Sequence, residues 1–332
     1  MSNNAKVSEW GNLSRSYHFK KKIYDAAFRF CRAILLFGLC FLILQPLLDK
    51  LSVSFMSVQD LYDGTVISIP RNFSLINYDM VNQLLGFWPS LLQTALIVIV
   101  SALLQISACT MAAYGFARYK FPLKNFWFMC VMLIIVVPPQ TIMSSLYLNF
   151  RFFDILGIIR LITGEPLNLL SSVAGFWMLS ATGMGLKSGL YIFLLRQYFR
   201  GVPKELEEAA WVDGCGRFRT FIRIMLPDAG PMLTSCFLFS FVWQWTDSFY
   251  STLFLSNYKM LSRGLNGIAD RLGILWAAMN DATGVVYSAA PVAVTQAVIA
   301  TGMLVCLAPL ILLYMVAQRA FVESLSQTGI KM

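Results

Sequence analysis

Three carboxylates crowd one segment, at Glu205, Glu207 and Glu208, and two alanines, Ala209 and Ala210, follow directly. General acid–base work would require such carboxylates to share a pocket with a nucleophile or a second titratable group. The sequence offers no such companion. Its one histidine, His18, lies in a basic N-terminal stretch, and no Ser/His/Asp, Cys/His or metal-ligand set can be assembled from the apolar runs. A GxxxxGK[ST] phosphate loop is also absent, so hydrolysis of ATP by this chain and a bound cofactor or metal are not expected. The chemistry left to Glu205–Ala210 is recognition, with acidic side chains meeting basic ones and small side chains admitting close approach. Taken singly, each glutamate also fits a solvated helix cap.

A second group comprises Lys187, Trp243, Gln244, Trp245 and Asp247. A charge at the centre of a membrane span costs about 2.5–3.5 kcal/mol on insertion scales, so charges there are candidate functional groups. Lys187, beside Gly183 and Gly185, fits a water-filled path, or a helix boundary from which it snorkels. Aromatic faces with hydrogen-bonding neighbours suit a carbohydrate, and Trp243–Asp247 supplies both. An interfacial aromatic belt with a boundary carboxylate fits the same residues. Gln93 and Gln105 are expected to bond between helices rather than to a ligand.

The elements that must position these residues are membrane helices. Of 332 residues 58% are hydrophobic and 13% charged, against about 45–50% and 25% in soluble domains. Six apolar runs approach the roughly 20 residues needed to cross a bilayer: Phe30–Leu48, Trp88–Gly115, Asn125–Leu148, Leu169–Phe199, Ala229–Tyr250 and Pro291–Val316. The runs are continuous rather than alternating, which favours helices over barrel strands. The expected fold class is all-α, a polytopic membrane bundle of six transmembrane helices. No cleavable leader is expected, because a long polar stretch precedes the first run. The seven cysteines lie mostly in apolar runs without CxxC spacing and read as packing residues.

The net charge of +9 sits beside the apolar runs, as orienting charges do, and nucleic acid is not implied. Lysines and arginines concentrate before the first run, between the second and third, between the fourth and fifth, and after the sixth. Those segments are assigned to the cytoplasm. The expected organisation is a basic cytoplasmic segment 1–29, a membrane domain 30–317 and a cytoplasmic tail 318–332. A cytoplasmic loop 200–228 and an extracytoplasmic loop 251–290 lie within the membrane domain.

The cytoplasmic loop has its own pattern. Pro203 suits a first helical position, and the glutamates suit the positive end of the helix dipole. Gly214 and Gly216 can end that helix. A second helix over Arg217–Met225 would carry Phe218, Phe221, Ile222 and Met225 on one apolar face, until Pro227 stops it. By pattern alone this helix–turn–helix could equally lie on the membrane surface.

Glu208, Ala209, Ala210, Asp213, Gly214, Ile224, Leu226 and Pro227 resemble, in register, the "EAA" motif of importer permeases of the ATP-binding-cassette class. Cys215-Gly216 departs from the usual Ala-Ser or Ala-Thr. Similarity extends to Ala112–Arg118 ("AAYGFAR"), Val137-Pro138-Pro139, Trp245–Phe249 and the tail Phe321–Met332, where Glu323 and Ser324 depart from the usual spacing. The resemblance is strongest to the second permease of maltose-type oligosaccharide importers and covers roughly residues 28–332. It implies a type I importer permease fold in the cytoplasmic membrane with both termini inside. The implied partners are a second permease forming a heterodimer, two ATPase subunits, an extracytoplasmic solute-binding protein and membrane lipid. It implies that Glu207, Glu208, Ala209 and Ala210 meet the ATPase, that Gly214 makes the bend, and that Phe218 belongs to the coupling loop. Polyols or glycerol phosphate remain open as substrates. So does, in another class, an ATPase-independent secondary transporter.

Overall fold

The computed structural model describes residues 3–155, 157–283 and 290–329, in two units, Met1–Ser74 and Leu75–Met332. In the first unit, α1 (Asn3–Ser54) is helical from its polar start, so the basic segment and the first span are one helix. Its apolar side chains, among them Phe30, Phe37, Leu42 and Ile43, are exposed. Lipid tails are as apolar as leucine, so such a surface suits a bilayer. Past α2 (Val58–Tyr62), the Asp60 carboxylate accepts the Asn72 backbone N–H at 2.7 Å and its side-chain N–H at 2.8 Å. Those donors hold the carboxyl below its ordinary value, against the opposing effect of burial.

The second unit opens with α3 (Ile76–Leu85) and α4 (Phe87–Arg118). On α4 the residues Ser90, Thr94, Ile97, Val98, Ser101, Ala102, Gln105, Cys109 and Ala113 are buried, while Leu92, Leu96, Leu103 and Met111 are exposed. Three- and four-residue spacing gathers the small and polar residues on one face, and small side chains let helices approach closely in a membrane. Next comes α5 (Lys124–Val136). The expected span 125–148 is not continuous. Pro138 and Pro139 turn the chain through 105° between Lys124–Val136 and Pro139–Arg151. The residue before a proline is pushed into extended backbone, and Val137 has φ −71° and ψ 120°. Beyond the bend lie α6 (Met143–Arg151) and the short α7 (Ile158–Thr163).

The expected span 169–199 is likewise two helices, α8 (Val173–Ala181) and α9 (Ser188–Gly201). Between them Gly183 and Lys187 adopt left-handed backbone, with φ 69° and 62°. α9 packs on α4 and α5. A β-carbon at Gly189 would stand 2.8 Å from the Val131 carbonyl oxygen, so only glycine admits this contact. The loop expected to be cytoplasmic forms α10 (Glu205–Val212) and α11 (Arg217–Thr220), then a wide π turn over Phe221–Met225 and α12 (Leu226–Asp228). Pro203 precedes α10 rather than opening it. The fifth expected span is α13 (Gly230–Thr246), bent 77° from Arg217–Asp228 and ending before Tyr250.

The segment expected to be an extracytoplasmic loop contains three helices, α14 (Phe249–Phe254), α15 (Leu261–Asn266) and α16 (Ile268–Thr283), with a non-helical link over 255–260; residues 284–289 of it lie outside the described residues. α17 (Val292–Gly329) runs through the expected boundary at 317 into the tail, of which residues 330–332 lie outside the described residues. Among the described residues Tyr24–Ser54, Phe87–Arg118 and Val292–Arg319 are long and apolar enough to cross a membrane in one piece. The other three expected crossings contain breaks.

Candidate functional site

The loop between α9 and α13 is built from the turn outward. Gly214 has φ 80°. Its N–H reaches the Trp211 carbonyl at 3.0 Å, and the Cys215 N–H reaches the Ala210 carbonyl at 2.9 Å. These two bonds close α10 as a Schellman motif, which satisfies carbonyls that a helix end leaves open. Gly216 has φ −69°, an ordinary value, so the additional glycine does not loosen the turn.

Glu208, Ala209, Asp213, Phe218 and Pro227 are exposed, Ile224 and Leu226 half-buried, and Glu207 and Ala210 buried. Glu207 therefore departs from the expectation that it faces a partner. Its Oε1 accepts the Tyr114 hydroxyl at 2.7 Å, and its Oε2 lies 3.3 Å from Arg118 Nε. The return helix departs too. Phe221 and Met225 are buried, but Phe218 is 69% and Ile222 43% exposed. In the π turn the Leu226 N–H reaches back to the Phe221 carbonyl. Phe221 and Met225, four apart on one face, enter the core beneath the loop, where Phe221 lies 4.7 Å from the Tyr114 ring. The outer surface keeps Leu206, Trp211, Val212, Phe218 and Ile222 exposed, an apolar group of the kind that marks an interaction site.

The second set of residues divides. Lys187, Trp243 and Asp247 line one cleft of about 300 Å³, together with Pro139 and Gln140. The Lys187 ammonium lies 5.1 Å from the Trp243 ring centroid. Asp247 caps the short helix after α13, accepting the N–H of Phe249 at 3.2 Å and of Ser251 at 3.0 Å. Gln244 and Trp245 are turned into the protein. The Trp245 indole donates to the Cys306 carbonyl at 3.1 Å. The bend at Pro139, the break ending at Lys187 and the end of α13 thus converge on one cavity. Irregular backbone at membrane depth is tolerated where it lines a cavity or is buried in protein.

Beneath the cleft Gln105 is a hub. Its amide nitrogen donates to the Leu186 carbonyl at 2.8 Å and to Ser188 Oγ at 2.7 Å, while its oxygen accepts from Ser240 Oγ and Gln244 Nε2, both at 2.7 Å. Gln93 accepts the Lys259 N–H at 2.9 Å. Gln105 bonds between helices, as expected, whereas Gln93 bonds from α4 to the loop between α14 and α15. Tyr114 and Arg118 lie in the Ala112–Arg118 stretch of the resemblance, which carried no site role for either residue. Their four-residue spacing at the end of an apolar run was the available signal.

Among the described residues, helices with broken spans around a cleft and a structured loop between two of them form an architecture that suits a transport permease. Residues 105–327 match the family described as binding-protein-dependent transport system inner membrane component, and the chain belongs to that family. It is a multi-pass protein of the cytoplasmic membrane. The chain is 30% identical over 223 residues to the "Probable ABC transporter permease protein PH1036" of Pyrococcus horikoshii, covering 66% of this chain and 74% of that one. It is 33% identical over 186 residues to the alpha-glucoside transport system permease protein AglG of Rhizobium meliloti, covering 56% of this chain but 46% of AglG. Among solved structures, a chain of a bacterial ABC transporter involved in the import of the acidic polysaccharide alginate shares the fold. Its TM-score is 0.68 at 20% identity, covering 90% of this chain and 97% of that one.

Proposed function

We propose that the chain is one of two permeases forming the path of a sugar or oligosaccharide importer, driven by two separate ATPases, one of them docked on α10 and α11. The single observation carrying this reading is the division of labour within the loop. Glu207, Ala210, Phe221 and Met225 anchor it inward, and Glu208 and Ala209 stand beside exposed Leu206, Trp211, Val212 and Phe218. A segment anchored on one side and apolar on the other is a docking surface in want of a partner. The solute-binding protein approaches from outside, against segment 251–290, and both termini lie in the cytoplasm, in keeping with the basic segments.

Purifying the tagged chain from native membranes tests the docking. The chain is expected to bring an ATPase with it, and Glu208→Lys to lose most of that ATPase and of ATP-driven uptake. Undiminished uptake in cells lacking the ATPase would sink the reading and favour a secondary transporter.

The substrate class rests on the AglG likeness and on the cleft of Lys187, Trp243 and Asp247. Trp243 is 44% exposed there, an aromatic face open to a sugar ring. Removing one aromatic face in Trp243→Ala removes about 1 kcal/mol. Uptake should fall about fivefold, with the associated ATPase unchanged in amount. Unchanged uptake would take Trp243 out of the path.

A further inference from the structure

We infer that Glu207, Arg118 and Tyr114 form a buried strut that carries movement of the docking helix into α4, and through Gln105 to the cleft. This rests on the docking reading above, and it assigns a positioning role to two residues outside the loop.

Glu207 belongs to α10, while Tyr114 and Arg118 lie one turn apart on the last stretch of α4. The Glu207 and Arg118 side chains are 6% and 7% exposed. Both carboxylate oxygens are engaged, Oε1 by the Tyr114 hydroxyl at 2.7 Å and Oε2 by Arg118 Nε at 3.3 Å. Arg118 also donates from a terminal nitrogen to the Val202 carbonyl at 2.8 Å, gripping the link between α9 and α10. One side chain of α4 therefore holds the entry to the docking helix and the helix itself. The two adjacent acids differ, since Glu208 is exposed and Glu207 is buried. One is free for a partner, and the other fastens the helix that carries it.

A buried ion pair is a weak source of stability, because desolvation offsets much of the attraction and an apolar replacement often does as well. What it does supply is a fixed, directional connection. Beyond it α4 is unbroken from Arg118 back to Phe87. Gln105 stands 13 residues along that helix from Arg118, about 20 Å at 1.5 Å per residue. There it grips the Leu186 carbonyl and Ser188 on either side of Lys187, and Gln244 on α13. Packed helices switch between arrangements by small rigid shifts. A tilt imposed on α10 would thus reach both walls of the cleft through one rod.

The test uses the native membrane complex, isolated through a tag on this chain, with ATP hydrolysis and solute uptake measured on the same preparations. Glu207→Gln is expected to keep the ATPase bound and hydrolysing while uptake per ATP falls about fivefold or more, as loss of one charge interaction would give. The exchange Glu207→Arg with Arg118→Glu is expected to recover much of that loss. Tyr114→Phe removes one hydrogen bond and keeps the ring packing. It serves as the milder variant should Glu207→Gln fail to accumulate, and uptake per ATP should fall measurably. Unchanged uptake per ATP in these variants would overturn the strut. So would a parallel loss of bound ATPase and uptake, which would mean that the pair merely folds the loop. Failure of the docking reading has a different signature, a wild-type chain that brings no ATPase at all.

Discussion

Replacing Gly214 by proline is expected to abolish ATP-coupled uptake while the chain remains in the membrane at near wild-type amount. Gly214 closes α10 at φ 80°, and its N–H is bonded to the Trp211 carbonyl at 3.0 Å. Proline fixes φ near −65° and has no N–H, so neither requirement can be met and α10 cannot end where it does. Steric crowding is not the cause, since a β-carbon at Gly214 would meet nothing within 4 Å. The left-handed φ and the N–H decide, which gives the experiment its controls. An L-residue in left-handed backbone costs roughly 1–2 kcal/mol, less for asparagine, which visits that region. Gly214→Asn should therefore keep most of the uptake. Gly216→Ala should be silent, because Gly216 has φ −69° and open space around it. Uptake assays beside immunoblots of isolated membranes separate the outcomes. Near wild-type uptake by the proline variant would remove α10 from the coupling path.

The parts of this fold legible in the sequence are those set by composition and by local backbone chemistry. Apolar runs located α1, α4 and α17, because lipid demands long unbroken helices. Gly214 was legible as a turn because few residues accept its φ. Breaks were harder to see. Pro138-Pro139 lay in plain view, yet a proline pair can kink a span or end it. The 105° between the flanking helices depends on what packs against them. Lys187 was legible as an anomaly, but its left-handed backbone and its place above Trp243 come from tertiary contacts. The inward turn of Glu207 was least legible. Glu207 and Glu208 are adjacent in sequence and identical in type, and only the helix phase set by Ala210 and the Tyr114 hydroxyl separates them. For the same reason Phe218 and Phe221 could not be sorted, since three-residue spacing puts both on one face and only tertiary packing buries Phe221 and leaves Phe218 exposed.

Replacing Gln105 by methionine is expected to lower the thermal stability of the purified chain more than any other single-glutamine change in α4. Methionine keeps the length and flexibility of the side chain, so packing changes little. What is lost is four hydrogen bonds, to the Leu186 carbonyl, Ser188, Ser240 and Gln244. Part of the damage is absorbed locally. Ser188 still donates to the Gly185 carbonyl at 2.8 Å, and Gln244 still reaches Ser240 at 2.9 Å. The Leu186 carbonyl loses the Gln105 amide. The serines cannot replace the bonds Gln105 gave, because Gln105 is fully buried and bulk water does not reach the site. Unpaired buried polar groups cost about 1–3 kcal/mol each, and interhelical bonds in membranes average about 0.6 kcal/mol. The variant should thus lose roughly 2–4 kcal/mol, a fall in Tm of several degrees for a chain of this size. Gln93→Met is the comparison. Gln93 is half-buried and accepts one bond, from the Lys259 N–H at 2.9 Å, and its loss should cost under about 1 kcal/mol. Equal stability of the two variants in the same detergent would mean that the hub contributes no more than an ordinary surface contact. A selective loss at Gln105 would mean that the break beside Lys187 is held by α4, so that the geometry of the cleft is a property of the helix whose Tyr114 and Arg118 meet Glu207 of α10.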